Sequence, residues 1–349
     1  MEKAIILTNG LLAAPDAKTA HGLIRESRRY QIVGVVDGLH AGKDAGEILD
    51  GKHRNIPVFE TVQEAMSVVP SCCIVGVATI GGVFPGNLIE LVKIAIQYKL
   101  SVVNGLHDLL SERIEIAKLA AENGVKLIDI RRPKQRKELH FWTGKIFEMK
   151  TPVVAVIGTD CALGKRTTAR LVMNGCIKAG ISAQMIYTGQ TGWLQGGQYG
   201  FIFDSTLNDF VSGELEHAML TCNEETKPDI ILIEGQSALR NPSGPCGSEI
   251  LVSGNAKSVI LVHAPKRVYY DHDPVWGAIS SIESEIALIH QFGSKVIAVA
   301  LNTENCTDEE ALAFQTSYEL KLTIPVMLPL QQGCEKIIPV MQQLMASKK

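Results

Sequence analysis

The residue types that could do chemistry concentrate in a few loops of this 349-residue chain. The most informative is Gly158-Thr159-Asp160-Cys161-Ala162-Leu163-Gly164-Lys165-Arg166-Thr167-Thr168, directly after the apolar run Val153–Ile157. A buried strand entering a glycine-containing turn and then a helix leaves the first backbone N–H groups of that helix without internal partners. With the helix dipole they form a cradle for phosphate. Lys165 adds a point charge, so the whole stretch from Gly158 to Thr168 is expected to hold a phosphate-bearing ligand. The usual Walker pattern is broken at two points. Thr159 stands where its first glycine belongs, and Arg166 stands where Ser or Thr normally ligates Mg²⁺. Thr167 brings a hydroxyl one residue late, about 100° further round the helix. The expectation is a loop that grips phosphate, with Arg166 able to pair bidentately, but that serves Mg²⁺ poorly. No metal ligands are assigned.

Acids and amides follow the later strands. The run Asp229–Ile233 ends in Glu234-Gly235-Gln236. A nucleotide hydrolase usually places Asp at such a strand end to hold Mg²⁺ through water; Glu234 is placed to do that or to act as a general base. After the strand expected at Ser182–Tyr187 comes a glycine-rich loop, with glycines at 189, 192, 196, 197 and 200. Glycines let backbone approach a ligand closely, so Gln190 and Thr191 are expected to contact substrate, together with Gln236. Asp204 is a second acid–base candidate, and Asp209 is expected to cap a helix over 210–221. His107, in Gly105-Leu106-His107-Asp108 just past a strand, is a third. Arg131 or Arg132 stands just past another strand, placed to face an anion held between the domains, with Arg131 taken as the substrate-binding residue. Arg240 and Asn241 are placed to touch substrate, whereas His263 and His272 have no metal-ligand spacing and are read as structural.

The elements that must position these residues alternate short apolar runs with helical patterns, the signature of parallel sheets covered on both faces. Strands are expected at 4–7, 32–36, 73–78, 101–104 and 126–130, with helices at 17–29, 61–69, 87–98 and 112–123. A second series follows, with strands at 153–157, 182–187, 230–233, 258–262, 296–301 and 324–327. Its helices are expected at 165–179, 209–221, 281–292 and 308–320. Basic residues crowd 131–151 between the two series. The fold class is therefore α/β with two domains, a Rossmann-like sheet over 1–130 and a P-loop-type sheet over 152–349, joined by a linker at 131–151. No Gly-x-Gly-x-x-Gly follows the first strand, which excludes a nicotinamide dinucleotide fingerprint.

Composition narrows the partners. Hydrophobic residues make up 46%, and 34 Lys+Arg oppose 37 Asp+Glu for a net charge of −3. That balance supplies no global field for nucleic acid or anionic lipid. No run approaches the ~20 apolar residues of a membrane span. The apolar stretch before Thr8 is shorter than the ~7–15-residue core of a signal peptide. The eight cysteines contain no Cys-x-x-Cys pair. The expectation is a cytoplasmic protein with free thiols, acting on a small molecule, with no nucleic-acid or membrane partner; a homo-oligomer stays open.

The stretch Gly158–Lys165 resembles the phosphate loop of dethiobiotin synthetase, including the shifted first glycine. Over most of its length the chain resembles the family of domain of unknown function 1611. The matching stretches are Lys18-Thr-Ala, Val33–Gly38, Gly105-Leu-His107, Gly158–Thr168, Thr188-Gly-Gln-Thr-Gly192, Asp209-Phe210 and Glu234-Gly-Gln236. The family carries Ser-Leu-x-His-Pro after its Glu-Gly-Gln; here Ser237-Ala-Leu-Arg-Asn241-Pro242 stands there without the His. The resemblance implies a Rossmann-like domain followed by a P-loop domain, and a D-glutamate N-acetyltransferase using acetyl-CoA. Glu234, Asp204 or His107 would then deprotonate the acceptor amine. Two alternatives remain: an ATP- and Mg²⁺-dependent ligase or kinase of dethiobiotin-synthetase type, and a non-catalytic nucleotide or coenzyme A sensor.

Overall fold

The apolar runs become strands in two separate parallel sheets. The computed structural model describes residues 1–346, which divide into one unit of residues 1–134 with 190–197 and a second of 135–189 with 198 onward.

In the first unit the chain runs β1 (Glu2–Leu7), α1 (Lys18–Arg25), β2 (Tyr30–Val36), α2 (Ala45–Asp50), β3 (Val58–Phe59), α3 (Val62–Ala65), β4 (Cys72–Val75), α4 (Leu88–Gln97), β5 (Ser101–Asn104), α5 (Ile114–Asn123) and β6 (Leu127–Asp129). The sheet order is β3-β2-β1-β4-β5-β6, the Rossmann arrangement, whose order reverses between β1 and β4. Ile5, Leu7, Cys73 and Val75 pack one face, and Ala4, Ile6, Cys72 and Ile74 the other. This alternation follows from the two-residue period of a strand buried on both sides.

The second unit contains β7 (Val153–Gly158), α6 (Lys165–Lys178), β8 (Ala183–Tyr187), β9 (Tyr199–Gly200), α8 (Asn208–Thr226), β10 (Ile230–Glu234), α9 (Ser248–Val252), β11 (Ser258–His263), α10 (Ile282–Gln291), β12 (Lys295–Leu301), α11 (Asp308–Leu322), β13 (Val326–Met327) and α12 (Ile338–Ala346); between β8 and β9 the chain passes through α7 (Gln190–Leu194), which belongs to the first unit. Its order is β13-β12-β11-β7-β10-β8-β9. β7 is wholly buried and pairs with β10 on one side and β11 on the other. The loops leaving those three strands therefore converge at one edge.

Several expectations are corrected. The strand expected at 73–78 is only Cys72–Val75. The helix expected over 17–29 stops at Arg25. The elements β3, α2, β9, α9 and α12 were not anticipated; β3 and β9 span only two residues each and carry little pattern. The glycine-rich loop after β8 forms the short helix α7, and residues 190–197 belong to the first unit. There Trp193 O accepts from Arg29 Nε at 2.8 Å, Arg29 lies over the Trp193 ring, and Gln195 Nε2 donates to Gly22 O at 2.7 Å. Asp209 is not a cap: α8 begins at Asn208, preceded by Leu207, which makes no side-chain cap bond.

The basic segment is not a free linker either. Residues 131–134 stay with the first unit and 135–151 with the second. The latter form a strap held by two acids of α8. Glu214 accepts from His140 N at 2.8 Å, and Glu216 accepts from Thr143 N at 2.6 Å and Ile146 N at 3.1 Å. Both acids are only 2% exposed, and Ile146 joins the core. A Cβ on Gly213 would press into the His140 carbonyl oxygen and lie 2.6 Å from the Phe141 carbonyl carbon. Ala for Gly in a helix is ordinarily worth up to ~1 kcal/mol. Here Gly213→Ala is expected instead to destabilise the protein by about 1–3 kcal/mol, as overpacking does. Urea unfolding measures this, and an increase in stability would show that the strap is not packed on α8.

Candidate functional site

In the second unit β7 delivers the chain into the loop 159–164, and Gly164 enters the left-handed region at φ 89° before α6 begins at Lys165. Ala162 is also left-handed, at φ 51°. Lys165 is 6% exposed and its Nζ donates to Asp160 O at 2.7 Å. The carbonyls of Cys161 and Leu163 accept from Arg267 and Asn302. Among the described residues, no hydrogen bond is donated by the backbone N–H groups of Cys161, Ala162, Leu163 or Gly164. Such a run of unspent amides ahead of a helix N-terminus is an anion receptor.

The side chains of this loop divide. Asp160, within the loop expected to hold phosphate, is 0% exposed and its side chain is turned inward. Its Oδ1 accepts from Asn241 Nδ2 at 2.8 Å, and its Oδ2 from Arg267 Nη1 and Asp271 N, each at 2.9 Å. Thr159 is also turned away, with Oγ1 3.0 Å from His263 Nδ1 and its N–H donated to Val262 O. Both residues brace the loop by their side chains. Cys161 donates to Ser237 Oγ at 3.3 Å, and burial raises its thiol pKa. Asp160, Cys161 and Asp271 have ligand atoms within 4.8 Å of one another; the Asp160 oxygens are already engaged as described. Thr168 is buried, whereas Arg166 and Thr167 are half-buried.

Glu234 ends β10 with 4% exposure. Its Oε2 accepts from Thr188 N at 3.3 Å, and Thr188 Oγ1 donates to the Glu234 carbonyl at 2.7 Å. Gln236 Nε2 donates to Thr188 Oγ1 at 3.0 Å, so Gln236 and Glu234 meet at one end of β8. Burial pushes the Glu234 carboxyl above its ordinary range, while Arg166, the Thr188 N–H, Lys165 and Arg170 pull it back. Lys165 and Arg166 are thus near enough to act on Glu234 electrostatically. Arg170 was missed, although its four-residue spacing from Arg166 places both on one helix face. Asp204 lies exposed on a short turn, 203–205. Arg240 and Asn241 do not line the site: Arg240 binds Ser284 Oγ at 2.8 Å, and Asn241 is buried behind the loop.

The remaining candidates lie in the first unit. Arg131 donates to the Gly105 carbonyl and, at 3.0 Å, to Gln190 Oε1. Thr191 Oγ1 lies 3.2 Å from Thr19 Oγ1. Gln190, Thr191 and Arg131 therefore gather at the C-terminal edge of β5 and β6. His107 follows β5 and packs on Gly82, where a Cβ would lie 2.5 Å from the ring. Asp37, at the end of β2, holds Thr8 Oγ1 at 2.6 Å, Leu12 N at 2.9 Å and His40 Nδ1 at 2.8 Å. An acid so engaged does not present itself to a dinucleotide ribose.

All eight cysteines are free thiols, and among the described residues no helix is long and apolar enough to cross a membrane. Residues 140–338 match the P-loop domain of the DUF1611 family, and residues 39–133 match the Rossmann-like domain of the same family. A D-glutamate N-acetyltransferase of Tritonibacter scottomollicae is 28% identical over 336 residues, covering 93% of this chain and 95% of that protein. One from a Pseudoalteromonas species is 28% identical over 284 residues, covering 80% and 83%. The crystal structure of a DUF1611 family protein from Anabaena variabilis superposes with a TM-score of 0.90 at 25% identity, over 98% of this chain and 100% of that one.

The buried His263 gives a pH test of the loop's support. Burial holds its imidazole pKa down at about 4, against an ordinary 6.5. The folded protein therefore keeps it neutral, and the unfolded chain takes up the proton first as pH falls. Its contribution is full above the unfolded value and is lost towards the folded one. Between about pH 7.5 and about pH 5 the protein should lose about 2 kcal/mol more stability than His263→Asn. Urea unfolding at both pH values tests this; parallel losses would contradict it.

Proposed function

Because the chain belongs to the DUF1611 family, we propose that it transfers an acetyl group from acetyl-CoA to the amine of a small acidic amino acid, with D-glutamate as the first acceptor to test. The observation that carries this reading is Arg166, at the position of the usual Mg²⁺-ligating hydroxyl and the cation acting most strongly on buried Glu234. A loop with unspent amides, Lys165 and an arginine suits phosphates that are held rather than cleaved. Coenzyme A carries such phosphates and keeps them intact while its thioester reacts. The naming of relatives that span nearly the whole chain as D-glutamate N-acetyltransferases points to the same chemistry.

Acetyl transfer to an amino acid requires loss of a proton from its ammonium group before nitrogen attacks the thioester carbonyl. A carboxylate whose pKa is raised by burial is a better base for that step than an exposed one. Glu234 has that property, at the strand edge beside the phosphate loop. The acidic side of the acceptor calls for cationic or N–H donors, and Arg166 has the right sign and fork geometry. His107 and Asp204 remain secondary candidates for the base.

Incubating the protein with acetyl-CoA and D-glutamate should release free coenzyme A thiol, in EDTA as in Mg²⁺. Lys165→Ala should weaken coenzyme A binding by roughly 1.5–3 kcal/mol, the scale of a charge-assisted hydrogen bond. Absence of thiol with every amino acid tried would reject the proposal. Mg²⁺-dependent ADP release from ATP would favour the ligase or kinase reading, and saturable binding without turnover the sensor reading.

A further inference from the structure

We infer that Arg267, on the turn after β11 and 106 residues beyond the loop residue it holds, is the positioning residue that gives the phosphate loop its affinity for anions. Its side chain is 3% exposed. Nη1 donates to Asp160 Oδ2 at 2.9 Å and to Cys161 O at 2.7 Å, while Nε and Nη2 both reach the Glu304 carboxylate at 2.6 Å. One guanidinium thus fastens a loop carboxylate, a loop carbonyl and a distant acid.

The consequence is electrostatic as well as geometric. The Asp160 carboxylate sits directly behind a loop meant for anions, and a bare buried charge there would repel them. Arg267 neutralises it, and Asn241 and the Asp271 N–H complete its hydrogen bonds. The Cys161 carbonyl is engaged by the same group. Asn302 does likewise for Leu163, donating to its carbonyl at 3.2 Å. Because successive peptide groups in a tight turn cannot aim both their dipole ends at one ligand, fixing the carbonyls outward aims the amides inward. Lysine cannot replace this arginine, since a point charge lacks the fork that spans three acceptors.

The inference rests on the loop being the phosphate site of the proposed reaction, but not on which carrier it holds. The test is calorimetric titration of wild type, Arg267→Gln and Arg267→Lys with coenzyme A, Mg-ATP and inorganic pyrophosphate, with KM and kcat for thiol release alongside. Both variants should bind the anions that wild type binds at least about tenfold more weakly. KM should rise by a similar factor, and kcat at saturation should change less than about threefold, because Arg267 acts only on binding. Should neither variant fold by circular dichroism, Asn302→Ala removes a single carbonyl restraint and should still weaken binding by about threefold. Unchanged affinity in the folded variants, or wild-type behaviour of Arg267→Lys, would overturn the role. If wild type binds pyrophosphate or Mg-ATP but not coenzyme A, and the variants weaken that binding, the positioning role stands while the acyl-carrier reading falls. If wild type binds none of the three, both fall.

Discussion

A phosphate loop works by leaving amide groups unspent, and here they are unspent because the carbonyls between them are engaged elsewhere. Asp160 O takes the Lys165 ammonium, Cys161 O takes Arg267, and Leu163 O takes Asn302. Asp160 anchors the arrangement from a position with no exposure to solvent. Its two oxygens collect an asparagine, an arginine and a backbone N–H from loops after β10 and β11. The sheet order makes this convergence automatic, since β10 and β11 flank β7 directly. The form of the phosphate loop is thus a property of the strand arrangement as much as of the glycine-containing motif.

How much of this could be read from the chain depended on sequence distance. The strand–loop–helix of 153–178 is local, and its apolar run, its glycines and Lys165 announce it. The braces are not local. Arg267, Asn241 and Asn302 are ordinary loop residues until the sheet brings them together. Thr159 and Asp160 were placed only within the phosphate loop, because motif position alone cannot distinguish a side chain turned in from one turned out. The strap at 135–151 looked like a solvated linker because its basic residues are conspicuous, whereas the acids that fasten it, Glu214 and Glu216, lie more than 60 residues on. The glycines after β8 suggested a loop, but Trp193 and Leu194 supply an apolar face that packs in the first unit. That pair was the available signal. The parallel Rossmann-like sheet of the first unit was implied by alternation, while two-residue strands such as β3 leave no pattern to find.

The proposed chemistry pairs the phosphate loop with a buried acid. Glu234 combines desolvation, which raises its proton affinity, with nearby cations that oppose it. Arg166 stands where the usual motif has a Mg²⁺-ligating hydroxyl and puts positive charge there. In the proposed reaction one strand edge holds a phosphorylated carrier and moves a proton, and no phosphoanhydride is cleaved.

That distinction is directly measurable. Calorimetric titration of coenzyme A into the protein, once in EDTA and once in excess Mg²⁺, should return the same dissociation constant within about twofold. Binding that appears only with Mg²⁺ would contradict an arginine-based anion site and with it the account of the loop given above.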